Sequence, residues 1–151
     1  MRIAFESPDQ ADAMALIAEL DAYQSALYPP ESHHALDLTS VAAQHVLFVM
    51  ARDEHGLAVG CGAVVLTPDY GELKRMYVRP AQRGLGIARK VLQLLESAAM
   101  QSGCTVLKLE TGPSQPEALG LYARCGYERC ARFGDYTDDP LSVFMVKRLQ
   151  H

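Results

Sequence analysis

Apolar residues recur along this chain at two spacings, and these spacings predict its secondary structure. Recurrence every three or four residues predicts helices over Asp9–Ala26, Gly84–Ser102 and Pro116–Arg124. Short apolar runs bounded by turn residues predict strands. These strands are Arg2–Ser7, Val46–Arg52, Ala58–Leu66, Tyr70–Arg79, Val106–Thr111, Tyr127–Ala131 and Ser142–Leu149. Because strands and helices do not alternate regularly, the order predicts an α+β (mixed α/β) fold rather than repeated βαβ units.

Turn and capping residues mark the ends of the first elements. Pro8 ends the first strand, Asp9 is placed to cap the following helix, and Tyr28-Pro29-Pro30 stops that helix. The stretch Glu31–Thr39 is then a loop or a short helical turn. Neither a repeat nor a linker interrupts the chain, so residues 1–151 are expected to form a single domain.

The composition is that of an ordinary soluble globular domain, with 49% apolar and 21% charged residues. The formal net charge of −4 argues against a general nucleic-acid binder, which is normally basic. No apolar run has membrane-spanning length, and the first residues lack the apolar stretch and cleavage site of a signal peptide. We therefore expect a cytoplasmic protein without membrane or nucleic-acid partners.

The cysteines and histidines do not suggest a metal or redox motif. The four cysteines form no C-x-x-C pair, so buried free thiols in a reducing compartment are the expected state. The adjacent His33 and His34 lack carboxylates or cysteines at ligand spacing. No metal site is therefore predicted.

The stretch from Val78 to Lys90 carries the clearest signal of chemistry. A strand leads into a loop with Gly84 and Gly86, and the loop leads directly into a helix. The first turn of a helix presents backbone N–H groups that favour an anion, and glycines let a phosphate approach the backbone closely. Between Lys74 and Lys90 the chain has no acidic residue and six basic ones, Lys74, Arg75, Arg79, Arg83, Arg89 and Lys90. The pattern indicates a phosphate-binding loop, with an ordinary tight turn as the alternative.

Two common phosphate-binding motifs do not match this loop. A Walker A loop ends in G-K-[ST], which is missing here. A dinucleotide-binding fingerprint needs a third glycine where this chain has Arg89, and it needs a surrounding βαβ unit. If this loop binds an anion, it therefore belongs to another class of anion site.

Two motifs together resemble those of the GNAT superfamily of acetyl-CoA-dependent acetyltransferases. The first is Arg83-Gly84-Leu85-Gly86-Ile87-Ala88, which follows a predicted strand as it does in the family. The second is Gln115-Pro116-Glu117-Ala118-Leu119-Gly120-Leu121-Tyr122, followed by Gly126-Tyr127. The family usually has Asn where this chain has Gln115, which carries the same amide on a longer side chain. The resemblance covers nearly the whole chain and is closest to bacterial enzymes of unassigned small-molecule specificity.

The resemblance implies a splayed central mixed sheet of about six to seven strands flanked by about four helices. Acetyl-CoA, the implied cosubstrate, would enter the gap between the strand ending at Val78 and the strand Val106–Thr111. Main-chain groups of residues 76–78 would pair with the pantetheine arm, and the amides of residues 83–88 would hold the pyrophosphate. The implied cofactor-binding residues are Met76, Tyr77, Val78, Arg83, Gly84, Leu85, Gly86, Ile87, Ala88, Arg89, Gln115 and Tyr122.

The resemblance also implies two catalytic side chains. Amine acetylation needs a neutral amine, so a base helps at neutral pH. Glu72 matches the position of the base in some members, and strand alternation is expected to put Glu72, Lys74, Met76 and Val78 on one face. A solvated carboxylate, or one paired with Lys74, is the alternative. Tyr122 matches the family tyrosine near the CoA sulfur and is the candidate acid, with simple ring packing as its alternative.

The acceptor side is expected to involve the segments 23–34 and 133–140. Our candidates there are Tyr28, His33, Lys74 and Asp135. Asp135 can attract an amine, and Lys74 or Arg75 can hold a carboxylate, which would suit an amino-acid-like acceptor. A small-molecule amine is the expected acceptor, and a protein lysine or N-terminus is the alternative. A non-catalytic acyl-CoA sensor is a third hypothesis. The strand Ser142–Leu149 is a candidate surface for a homodimer.

Overall fold

The computed structural model describes residues 1–29, 38–40 and 42–149. Its strands are β1 (Arg2–Phe5), β2 (Val46–Arg52), β3 (Ala58–Leu66), β4 (Gly71–Val78), β5 (Val106–Thr111), β6 (Glu128–Arg129) and β7 (Val143–Arg148). Its α-helices are α1 (Ala11–Leu27), α2 (Ile87–Gln101) and α3 (Pro116–Arg124). Short 3₁₀ turns occur at Leu38–Ser40, Ala43–His45 and Pro80–Gln82.

All seven strands form one mixed sheet in the order β1-β2-β3-β4-β5-β7-β6. Neighbouring strands run antiparallel, except β4 and β5, which run parallel. The predicted meander and mixed fold class are confirmed, with three α-helices in the described ranges where we expected about four. The homodimer through β7 stays a prediction.

The sheet opens between β4 and β5. These two strands pair only over Gly71–Leu73 and Leu107–Leu109. Beyond Leu73, β4 continues to Val78 alongside β3, while β5 continues to Thr111 alongside β7. The expected splay is therefore present, and over its last residues one edge of β4 has no strand partner among the described residues.

A β-bulge at Arg75 changes which side chains share a face of β4. Lys74 pairs with Ala63, but Tyr77 pairs with Cys61, so β4 has one extra residue. Arg75 takes the left-handed conformation, with φ of 58°. The expected common face of Glu72, Lys74, Met76 and Val78 is therefore wrong. Before the bulge Glu72 and Lys74 share the α1 face, whereas Met76 and Val78 pack with the α2 core.

Helices cover both faces of the sheet, because both faces are apolar. On one side α2 buries a stripe spaced as predicted, Ile87, Val91, Leu92, Leu95 and Ala99. On the other side α1 buries Ala13, Leu16 and Leu20 against β3 and β4. The two apolar layers fix the sheet between them, so the splay is held at its base.

Two predicted helix starts are corrected. Asp9 does not cap α1, which begins at Ala11 with Gln10 as the preceding residue and no side-chain cap. The amide of Gln10 instead donates to the Ser7 carbonyl at 2.8 Å. Helix α2 begins at Ile87 rather than at position 84, because Gly84 and Gly86 have positive φ angles that end any helical run there.

Membrane, thiol and metal features can be stated for the part of the chain that the structure covers. No helix there is both long and apolar enough to cross a bilayer. All four cysteines are free, with Cys61 buried and Cys104, Cys125 and Cys130 partly buried. No three metal-ligating side chains of the covered residues come together.

Candidate active site

A cleft of about 550 Å³ lies between the open edge of β4, the start of α2 and the first turns of α3. All but one of the predicted cofactor-binding residues line it. They are Met76, Tyr77, Val78, Arg83, Gly84, Gly86, Ile87, Ala88, Arg89, Gln115 and Tyr122. Leu85 is the exception, and its side chain is 62% exposed. Residues far apart in the sequence thus meet at the splay.

The loop before α2 is shaped by its two glycines. Gly84 and Gly86 have φ angles of 82° and 78°, in the left-handed region that other residues rarely adopt. The first N–H donor within the helix is that of Lys90, which bonds to the carbonyl of Gly86. The N–H groups of residues 87–89 therefore have no helical acceptor, and the first turn holds no acidic residue. These amides form an anion-favouring end at the mouth of the cleft.

The six basic residues of this region divide into two groups. Three are held by carboxylates, Lys74 by Glu72 at 3.1 Å, Arg75 by Asp21 at 2.6 Å and Arg79 by Glu19 at 2.8 Å. Arg83, Arg89 and Lys90 have no carboxylate partner among the residues the structure describes. Arg124, from α3, also lines the cleft and was not predicted. The free positive charge is therefore concentrated beside the start of α2.

Tyr122 lies at the inner wall of the cleft and is only 7% exposed. Its ring packs edge-to-face on Tyr127, with centroids 5.8 Å apart. Its hydroxyl has no hydrogen bond to any residue in the described ranges. Burial, with a smaller effect of the Cys125 thiol, raises the pKa of Tyr122, so the phenol stays protonated at neutral pH. The side chain both packs and presents a buried donor.

On the α1 face of β4, the side chains of Glu72, Lys74 and Tyr136 bond to one another. The hydroxyl of Tyr136 donates to Glu72 and accepts from the Nζ of Lys74 at 2.9 Å. Lys74 also pairs with Glu72. The ring of Tyr136 packs against Phe133 and Phe144, with centroids 5.3 Å and 5.5 Å away. Glu72 and Lys74 therefore already have partners before any substrate binds.

Glu110 is a carboxylate that sequence reasoning missed. It lies on β5 beyond its last pairing with β4, and its Oε2 accepts from the Ser142 hydroxyl at 2.8 Å. Burial raises the pKa of Glu110 to about 7, although the Ser142 hydrogen bond and the charge of Lys74 oppose the rise. Its place at the end of an alternating strand was the only available signal. A carboxyl group that titrates near neutral pH thus lies beside the Glu72–Lys74 pair.

Two further acceptor-side candidates, Tyr28 and Asp135, lie in the described ranges and have different surroundings. Tyr28 is 8% exposed and bonds to the loop after β5, as detailed below. Asp135 is exposed in the loop between β6 and β7. His33 lies outside the described residues. Among the predicted acceptor residues in the described ranges, Lys74 is the one that bonds to Glu72 and Tyr136.

Comparisons with known proteins agree with this geometry. The model of the Acetyltransferase (GNAT) family matches residues 13–127. The chain is 45% identical, over 97% of each protein, to a protein from Azospirillum brasilense named IAA acetyltransferase. It is 36% identical to the uncharacterized N-acetyltransferase YsnE of Bacillus subtilis, over 99% of this chain and 100% of YsnE.

A solved structure is also similar along nearly the whole chain. It is that of a candidate acyl-CoA N-acyltransferase from Klebsiella pneumoniae, with 43% identity and a TM-score of 0.90. The match covers 99% of this chain and 97% of that one. Members of the family are acyltransferases that use acetyl-CoA, which suits a cleft with an open strand edge and an anion-favouring helix end. The chain therefore belongs to the GNAT family of acetyltransferases.

Proposed function

We propose that this acetyltransferase moves an acetyl group from acetyl-CoA to the primary amine of a small molecule by direct transfer. The observation that carries the proposal is one cleft that joins the open β4 edge, the unpaired amides of α2 and the buried hydroxyl of Tyr122. These are the three kinds of group that the arm, the pyrophosphate and the sulfur of CoA require. Acetyl-CoA supplies the activated acetyl group.

Main-chain and basic groups of the cleft suit CoA. The open edge of β4 runs through residues 76–78 and offers main-chain groups to an extended amide-containing arm, as a neighbouring strand does. The N–H groups of residues 87–89 and the guanidinium groups of Arg83 and Arg89 suit a pyrophosphate. Arg83 already bonds to the Val78 carbonyl at 3.0 Å, so its side chain spans the β4 edge and the loop.

Glu110 is the better base in this proposal, and it replaces Glu72. A base works best when its pKa is near the working pH, and burial raises the pKa of Glu110 to about 7. Glu72 instead accepts from Tyr136 and pairs with Lys74, so it is committed to holding that group together. Glu110, directly or through a water, takes the proton that the amine loses as its nitrogen attacks the acetyl carbonyl.

Tyr122 serves the leaving group in the same scheme. Its buried phenol is protonated at neutral pH and has no hydrogen-bond acceptor in the described ranges. It donates a hydrogen bond, and then a proton, to the thiolate that departs when the carbon–sulfur bond breaks. A main-chain N–H near residues 76 and 77 is the candidate donor to the oxyanion.

The ion pairs on the α1 face limit the class of amine that we propose as the acceptor. A carboxylate of an amino-acid-like acceptor was expected to bind Lys74 or Arg75, but these residues already pair with Glu72 and Asp21. We therefore favour an amine whose binding does not depend on those two cations. The Azospirillum brasilense relative is named IAA acetyltransferase, so IAA belongs among the compounds tested.

Calorimetry with acetyl-CoA, followed by thiol-release assays, tests the proposal. The panel contains arylalkylamines, amino acids, polyamines, IAA and lysine peptides. We expect saturable acetyl-CoA binding and release with at least one small amine but not with peptides. Release with peptides alone would favour a protein acetyltransferase, and binding without any release would favour a sensor. A folded protein that does not bind acetyl-CoA would refute the proposal.

A further inference from the structure

Gln115 precedes α3 but does not cap it. As the residue before the first helical turn, it makes no side-chain hydrogen bond to the helix. Its Oε1 instead accepts a hydrogen bond from the hydroxyl of Tyr28 at 3.3 Å, from a residue 87 positions earlier in the chain. Gln115 also lines the cleft. Its amide is therefore shared between the cleft and the end of α1.

The Tyr28 phenol is fixed in place by its surroundings. Its hydroxyl also accepts a hydrogen bond from the N–H of Ser114 at 3.2 Å, and its side chain is buried. Its ring passes directly over Gly112, where any Cβ atom would collide with the hydroxyl. Burial raises the pKa of Tyr28, which keeps the phenol protonated and able to donate at neutral pH.

A terminal amide has one acceptor end and one donor end. Because Oε1 of Gln115 is turned toward Tyr28, its Nε2 end is the one available to the cleft. The CoA arm contains amide carbonyls, which accept such a donor. Asn, one methylene shorter, would leave either the phenol or the cleft without its contact. The pairing therefore gives a physical reason for Gln at a position where the resembled family usually has Asn.

We propose that Tyr28 is a positioning residue for donor binding, which holds the Gln115 amide with its N–H groups directed at the CoA arm. This inference rests on the proposed function and moves Tyr28 from the acceptor side to the donor side. It predicts that the two residues act as a unit. Removing the phenol hydroxyl or shortening the amide should then weaken CoA binding to a similar extent, because either change displaces the amide at position 115.

Calorimetric titration of CoA into Tyr28→Phe, Gln115→Asn and the double variant tests this inference. We expect each single change to weaken binding about three- to tenfold, as for the loss of one hydrogen bond. The double variant should be no weaker than the weaker single one. The KM for acetyl-CoA should rise by the same factor, while kcat at saturation stays within about twofold.

Tyr127→Phe is the matched control, because it removes another buried tyrosine hydrogen bond, to Glu96 at 2.8 Å. It should lower stability but leave the CoA affinity unchanged. Wild-type affinity in both single variants, or effects that multiply in the double variant, would overturn the inference while the proposed function stands. If Tyr28→Phe fails to fold, wild-type affinity of Gln115→Asn alone overturns it. Absence of CoA binding by the wild-type protein would overturn both proposals.

Discussion

At the scale of single residues, two carboxylates on one face of the sheet, Glu72 and Glu110, differ in their surroundings. Glu72 is held by a lysine and a phenol, whereas Glu110 is buried and accepts a hydrogen bond from a serine hydroxyl. A charged carboxylate is disfavoured by burial and favoured by a cation, so the two groups suit different roles. Glu72 holds Lys74 and Tyr136 together, and Glu110 is able to exchange a proton near neutral pH.

We predict that Glu110→Gln removes the basic group needed for catalysis. It should lower kcat by about 100-fold or more, in the range of general-base catalysis. In the wild-type protein kcat should rise with pH through about 7, because Glu110 must lose its proton to act as a base. A pH profile of kcat with a saturating amine measures this rise, which forms the acidic limb of the profile. The limb should be absent in Glu110→Gln.

Glu72→Gln is the comparison for that experiment. It keeps a hydrogen-bond acceptor for Tyr136 and should retain the limb near pH 7, with a loss of less than about tenfold. If instead the limb survives in Glu110→Gln and disappears in Glu72→Gln, the base is Glu72.

The sequence pointed to Tyr122 and Gln115 through motifs, but it did not point to Glu110 or to the Tyr28–Gln115 contact. Both depend on residues that are distant in the chain, since Glu110 is 32 positions from Ser142 and Tyr28 is 87 from Gln115. Likewise, the basic cluster appeared larger in sequence than it is, because its carboxylate partners Asp21 and Glu19 lie on α1. Local pattern reveals residue types but not these pairings.

At the scale of elements, the start of α2 depends on backbone conformation. Gly86 takes φ of 78° directly before the first helical residue, and no atom lies near the position that a Cβ would occupy. A side chain at position 86 is therefore disfavoured by the left-handed backbone conformation and not by steric contacts. The left-handed region costs other residues roughly 1–2 kcal/mol.

We predict that Gly86→Ala lowers the free energy of unfolding by about 1 kcal/mol and also weakens CoA binding, because the added methyl group lies at the helix start. Urea denaturation and calorimetry measure the two effects. Gly56→Ala is the control, since Gly56 has φ of 80° in the β2–β3 turn, also in open space. It should lose similar stability and keep wild-type CoA affinity. Equal affinity losses in both variants would contradict a role for the helix start in binding.

The element bounds followed largely from periodicity, but the bulge in β4 did not. Apolar spacing located β2, β3, β5 and α3 with their observed ends. In β4, however, Arg75 adopts a left-handed conformation that its residue type does not signal. Strict alternation therefore failed after Lys74, and the inferred common face of Glu72 and Met76 failed with it.

At the scale of the whole molecule, the order of elements and the family motifs were enough to predict the splayed sheet. Two apolar layers close around the base of the sheet, and the polar groups collect where β4 and β5 separate. Burying a carboxyl group at such a place affects the stability of the entire fold, because its pKa differs between the folded and unfolded states.

We predict that Glu110 makes the wild-type protein less stable as pH rises. The pKa of Glu110 is about 7 in the folded state against an ordinary 4.5, so between these values the unfolded chain releases a proton that the folded chain keeps. Its favourable contribution is present below about pH 4.5 and is lost by about pH 7. From pH 5 to pH 8, Glu110→Gln should therefore gain on the order of 2 kcal/mol relative to the wild type.

Urea denaturation at the two pH values measures this difference. Glu128→Gln, at an exposed carboxylate on β6, is the control and should follow the wild-type pH dependence. If the free energy of unfolding of Glu110→Gln has the same pH dependence as that of the wild type, Glu110 has the same pKa in the folded and unfolded states.

Gly112 restricts the order in which this sequence is able to change during evolution. Any larger residue there collides with the Tyr28 hydroxyl, so position 28 has to lose its phenol before position 112 gains a side chain. Losing the phenol in turn removes the partner of Gln115. We therefore expect positions 28, 112 and 115 to change together, and a lineage with Asn at position 115 has no need to keep either the tyrosine or the glycine.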